Sequence, residues 1–368
     1  MRIKTKTKEA CNLPRANVSF SVVKHRINPP PLPQENTMHV GLQMGDLSDE
    51  NLKFARQIGV NNIIAANPRP LIPEGQGYWE TDTLLKLRDR VTSHDIQIDV
   101  LALPLSSSLF TRAENPNIML GTSERDREID HICKCIQAAG EAGIPCLKYN
   151  LCLLGVISTH RTEGRGSASY RSFDYEKVKD EPLTEAGRVT SDMMWERISY
   201  FVERVIPVAE EYRVKMACHQ HDPGVPHDTG VRGVNRVLGS VDGVKKFCDL
   251  VDSPYHGLNF CQGTCSEMLE DPGQEILDVI RYFGTRQKIF MVHFRNIRGG
   301  FLKFDEVYVD EGDVDMWEAM KVYKEVGYHG IFCPDHVARS EQDSPWGHRQ
   351  RAFTAGYIKA LIKAVNNP

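Results

Sequence analysis

The sequence predicts an α/β fold, a single (β/α)8 barrel with an N-terminal arm and a long loop after the fourth strand. Three observations predict it. Short apolar runs alternate with amphipathic stretches of helical period from Met38 to the C-terminus, as repeated βα units around a parallel sheet do. Eight such runs can be placed in order. The last four each end in a metal-capable side chain, in VKMACHQHDPGVP (214–226), GLNFCQG (257–263), KIFMVHFRN (288–296) and GIFCPDH (330–336), and barrel sites sit at the C-terminal ends of strands. A doubly wound open sheet is the competing fold, but no Gly-rich phosphate fingerprint follows an early strand.

In chain order, residues 1–37 are polar and irregular and close on NPPPLPQENT (28–37), where prolines remove donors and favour extended backbone. They read as an arm or linker; an arm packed on another copy in a homo-oligomer is the alternative. Residues 38–368 read as the barrel domain. Strands are expected at 38–44, 61–66, 97–103 and 145–151. Ser48, with Asp49 and Glu50, caps the first helix by supplying acceptors and negative charge at its N-terminus. A helix over 123–142 carries Ile129, Ile132, Cys133 and Ile136 on one stripe. The pattern then breaks between residues 155 and 190, too long for a connector, which suggests a lid whose Arg161, Arg165 and Arg171 offer guanidinium groups to a carboxylate. A helix over 191–212, interrupted at Pro207, leads to the fifth strand. Three further helices separate the last strands, and one over 350–365 closes the chain.

Composition bounds the partners. The chain has 368 residues and a net charge of −4, without a block of lysines and arginines, so a small molecule is expected rather than nucleic acid or an anionic membrane. No stretch approaches a membrane span and the N-terminus lacks the apolar core of a secretory signal, so the cytoplasm is the expected location. The ten cysteines are sparse for this length and read mostly as small apolar residues in the reduced state.

Taken singly, a histidine or cysteine after an apolar run is usually a packed core residue. Four such ends in order are harder to explain that way, and His219, Cys261, His293 and Asp335 together suit a divalent transition metal. The acidic GDVDM stretch reads as a helix cap through Asp313 and Asp315 rather than a calcium loop.

These stretches resemble mannonate dehydratases, members of the xylose-isomerase-like barrels, through IPVAEEYRVKMACHQHDP (206–223), NFCQG (259–263), VHFRN (292–296), EGDVDMWE (311–318) and CPDH (333–336), and more loosely through LKYN (147–150) and RSFDYE (171–176). The resemblance implies a divalent ion, Mn2+ or Fe2+, on His219, Cys261, His293 and Asp335. It also implies Arg295 near the substrate, His336 as acid or base, and loss of water from a hexonate to give 2-keto-3-deoxygluconate. The chain departs from the pattern in Gln220, His221 and Asp222, in ISTHRTEGRGS, and in SPWGHRQR (344–351), where an expected tyrosine has no counterpart. His221 and His348 are therefore candidate replacement bases, and Asn150 joins Arg161, Arg165, Arg171 and His348 as a substrate-binding candidate. Competing functions are an isomerase, epimerase or β-eliminating lyase on another polyol, and a catalytically silent ligand-binding barrel.

Overall fold

Parity along each strand decides which side chains meet inside the barrel. The computed structural model describes residues 37–67 and 69–367; the expected arm, apart from Thr37, lies outside the described residues. Eight parallel strands close on themselves: β1 (His39–Met44), β2 (Asn62–Ala65), β3 (Gln97–Ala102), β4 (Cys146–Asn150), β7 (Lys215–His219), β8 (His256–Cys261), β9 (Ile289–His293) and β12 (Ile331–Cys333). Ile64, Val100, Cys146, Ala217, Met291, Ile331 and Cys333 form one apolar layer inside the ring. Gly41 belongs to this packing, since a Cβ there would collide with the Ile331 side chain. Two residues further along β7 and β9 the same parity brings His219 and His293 inward, one layer nearer the C-terminal mouth.

The helices cover the outside and bury the larger core: α1 (Asp49–Gln57), α2 (Thr81–Thr92), α3 (Pro116–Leu120), α4 (Arg125–Glu141), α5 (Ser191–Tyr212), α6 (Val241–Cys248), α7 (Gln262–Ser266), α8 (Pro272–Thr285), α9 (Met316–Glu325) and α10 (His348–Asn366). Ser48 accepts from the Asn51 N–H and caps α1. On α4 the buried thiol is Cys135, with Ile129, Ile132 and Ile136, while Cys133 is only half-buried; this corrects the expected stripe. The α5 helix runs unbroken for 22 residues through Pro207, capped by Thr190. Asp315 caps α9, accepting from Trp317 and Glu318, whereas Asp313 accepts from the Gly299 N–H. No helix among the described residues is long and apolar enough to cross a membrane.

The segment read as an aperiodic loop holds two strands, β5 (His160–Glu163) and β6 (Ser169–Asp174). They join β10 (Ile297–Gly300) and β11 (Lys303–Glu306) in an antiparallel sheet of order β10-β11-β6-β5. Phe173 and Phe304, paired in register, stack at 5.6 Å and are nearly fully buried. Arg171, Glu306 and Ile297 share that face by alternation and register. Both ends of the segment are fastened to the loop after β7. Arg236 donates to the carbonyls of Gly155, Asp222 and Pro223, and Val189 bonds across to Gly233 and Asn235.

Candidate metal centre

Four strand ends deliver the donors. His219 donates through Nδ1 to the Gln220 carbonyl at 2.7 Å, which leaves Nε2 as a lone-pair donor. Cys261 is fully buried; burial raises its thiol pKa, but Arg295 and His293 outweigh that and lower it, favouring thiolate. The ligand atoms of His219, Cys261 and His293 lie within 4.8 Å of one another. Asp335 Oδ2 lies 3.5 Å from His293 Nδ1 and 3.8 Å from Cys261 Sγ. Burial raises the Asp335 pKa, yet His293, His336 and Arg295 hold it well below the carboxylate range.

The fit to a metal ion can be tested on the side chains themselves. Donors each about 2.0–2.3 Å from one ion sit only a few ångströms apart, as these do. His293 Nδ1 is buried and makes no hydrogen bond within the protein, an expensive arrangement unless something else takes the lone pair. Two imidazoles, a thiolate and a carboxylate suit a divalent transition ion, and the residues fit one.

Beside this group lies a buried charge cluster. Arg295 donates to Asp222 at 3.0 Å and Thr264 at 2.9 Å, and pairs with Glu306. Glu267 Oε1 is 2.9 Å from Arg295 Nη2 without hydrogen-bond geometry. Burial, then Asp222, raises the Glu267 pKa well above the usual range, favouring its neutral form. His336 Nδ1 lies 3.0 Å from both Glu306 Oε1 and Arg295 Nη1. Burial lowers the imidazole pKa, but Asp335 and Glu306 reverse this and raise it overall. A cavity of about 610 Å³ opens here, lined by Gln43, Arg161, Arg171, Glu306, His336 and Trp346 among others. A larger cavity of about 1060 Å³, around His39, Asp99 and Lys215, sits at the opposite end of the strands and meets none of these groups.

Several expected site residues are placed differently. Arg295 is 2 % exposed and ringed by carboxylates, so it organises the cluster and does not line the cavity. His221 has both ring nitrogens engaged by the main chain: Nε2 bonds the Leu151 carbonyl, Nδ1 accepts from the Leu238 N–H, and burial, then Arg236, pushes its pKa down to about 3. His348 bonds Ser344 and Asn51 at the start of α10, outside the cavity lining. Arg165 grips Asp310 with two hydrogen bonds and lies over the Tyr308 ring, away from the cavity. Asn150 stands in register with His219 at the end of β4 but does not line the cavity. Arg161, Arg171 and His336 do line it.

Sequence reasoning missed Glu306, Glu267 and Lys148. Glu306 sits in KFDE, whose alternation was the available signal. Lys148 interrupts the apolar run CLKYN and bonds Gln43; burial lowers its pKa.

The sequence profile of the D-mannonate dehydratase (UxuA) family matches residues 175–368, which includes all four donors. The chain belongs to the mannonate dehydratase family. That membership makes it a carbon–oxygen hydro-lyase of the sugar-acid class in a metal-dependent family. Among relatives, the mannonate dehydratase of Thermotoga maritima is 29% identical over 357 residues, covering 86% of this chain and 94% of that one. Mannonate dehydratase 2 of Halalkalibacterium halodurans is 26% identical over 352 residues, covering 86% and 96%. The crystal structure of the mannonate dehydratase of Streptococcus suis serotype 2 has the same fold, with a TM-score of 0.77 at 24% identity over 89% of this chain and 95% of that one.

Proposed function

We propose that the protein dehydrates D-mannonate or a close relative to 2-keto-3-deoxy-D-gluconate, with Mn2+ or Fe2+ held by His219, Cys261, His293 and Asp335. The observation that carries this reading is the convergence of four donors beside a carboxylate-oriented histidine on the wall of a cavity large enough for a six-carbon acid. The names of the family's relatives supply the substrate.

The reaction removes a proton from C2 and hydroxide from C3, and the resulting enol tautomerises to the 2-keto acid. Held by His219, Cys261, His293 and Asp335, a divalent ion would supply charge stabilisation at the substrate carboxylate. His336 moves the proton: Glu306 holds Nδ1–H, which leaves Nε2, 3.8 Å from Asp335 Oδ1, for the transfer. Arg171, whose Nη1 lies 3.3 Å from His336 Nδ1, brings a guanidinium to the same wall. Arg295 keeps Glu306 and Asp222 in place.

The test is product analysis with D-mannonate and added Mn2+ or Fe2+, with elemental analysis of Cys261→Ala alongside. Loss of one water from the substrate and loss of bound metal from the variant are expected. A product of unchanged mass would make the protein an isomerase or epimerase, and full metal occupancy in Cys261→Ala would remove the thiolate from the ligand set.

A further inference from the structure

The face of the accessory sheet that holds Arg171 carries more positive charge than one carboxylate requires. Arg161 and Arg171 stand directly opposite each other across β5 and β6. Arg339 pairs with Ser169, two residues before Arg171 and on the same face. Like charges placed opposite in a sheet repel and destabilise it, and the one carboxylate in register on that face, Glu306 opposite Arg171, offsets only part of this charge. All three arginines line the mouth cavity.

The carboxylates of that cavity are committed elsewhere. Asp335 faces His293 and Cys261. Asp343 accepts from the backbone N–H groups of Ser344, Arg349 and Gln350. Glu306 serves Arg295 and His336, and comes only within 3.9 Å of Arg171 Nε. Glu163, beside Arg161 on β5, accepts from Ser167 and does not line the cavity. Among the described residues, Arg161 bonds only the carbonyl and hydroxyl of Ser169, both at 3.3 Å, and Arg339 has no ion pair. Burial, then Arg339 and Arg171, pulls the Arg161 pKa below its usual value, the mark of cations crowded together.

We propose that Arg161 and Arg339, with Arg171 between them and His336, bind a second anionic group at the far end of the substrate, so that the preferred sugar acid is a dianion with a carboxylate or phosphate on its terminal carbon. This rests on the sugar-acid dehydratase reading, in which one carboxylate is already taken at the metal layer. Guanidinium forks match either oxyanion, and a monoanionic hexonate would offer the rim only a hydroxyl.

The test uses the full chain loaded with Mn2+ and three probes: D-mannonate, the dicarboxylate D-mannarate and 6-phospho-D-mannonate. Binding is measured by calorimetry and turnover by loss of water. One dianion should bind roughly ten- to a hundredfold more tightly than D-mannonate, the range that charge-assisted hydrogen bonds supply. The double variant Arg161→Gln/Arg339→Gln should erase most of that preference, and Arg339→Lys alone should keep part of it. Thermal melting checks folding of each variant. Whichever dianion binds more tightly identifies the group. Equal binding of all three probes, or a preference that survives the double variant, would overturn the proposal while leaving dehydration of D-mannonate intact. Tight dianion binding with no water lost from any probe would uphold the rim and overturn the dehydratase reading instead.

Discussion

His336 and His221 both stand at the mouth of the barrel, and their neighbours give them opposite chemistry. His221 spends both ring nitrogens on main-chain groups, which fixes it neutral. His336 faces the cavity, with Glu306 on one nitrogen and a raised pKa. Replacing His336 with alanine is expected to lower turnover by about 10² to 10⁴-fold while bound metal stays near the wild-type level. Metal lost in parallel, by elemental analysis, would make His336 a ligand or a ligand's support. The sequence places both histidines after strands but does not distinguish them. The partners that decide their roles lie far along the chain: Leu151 after β4 and Leu238 at the other end of its own loop for His221, and Glu306 on β11 for His336. The convergence of His219, Cys261, His293 and Asp335 was legible because three of them end their own strands and the fourth follows β12 by two residues; the enclosure of Arg295 by Asp222, Glu267 and Glu306 was not.

At the level of elements, the accessory sheet carries Glu306, Arg161 and Arg171 together, and Phe173, Phe304 and Ile297 join it to the main apolar core. Phe304 is 4 % exposed and stacks on Phe173. Truncating Phe304 to alanine should cost about 3 kcal/mol or more of local stability. Hydrogen exchange should then speed up in β5, β6, β10 and β11 ahead of the barrel strands, with a higher KM. Uniform exchange across both sheets would instead show one cooperative unit. This sheet escaped sequence reading because its strands carry charge on both faces and come from two distant segments of the chain. The barrel strands announce themselves by continuous apolar runs, whereas HRTE and KFDE do not.

Across the whole molecule, acid sensitivity is built in far from the chemistry. His256 is fully buried at the start of β8, donates Nε2–H to the Phe247 carbonyl at 2.8 Å, and is pushed down to about 4 mainly by burial. An unfolded histidine titrates near 6.5, so this group costs no stability above that pH. As the pH falls below it, the unfolded chain takes up a proton that the folded one refuses, and stability drops until about pH 4. Between about pH 7.5 and pH 5 the loss from His256 should be about 2 kcal/mol. Urea midpoints at the two values check it, and His256→Phe should shrink the difference by about that amount, leaving the loss that buried His221 adds with the same sign; an unchanged difference in that variant would assign the acid sensitivity to other groups. A different global consequence follows from Arg236 and Val189, which fasten both ends of residues 155–190 to one loop. The insertion is a porch on two posts, not a door on a hinge. A sugar acid entering the cavity passes Arg161, Arg171 and Arg339, so its encounter rate is expected to fall as salt screens these arginines even where the chemistry behind them is unchanged.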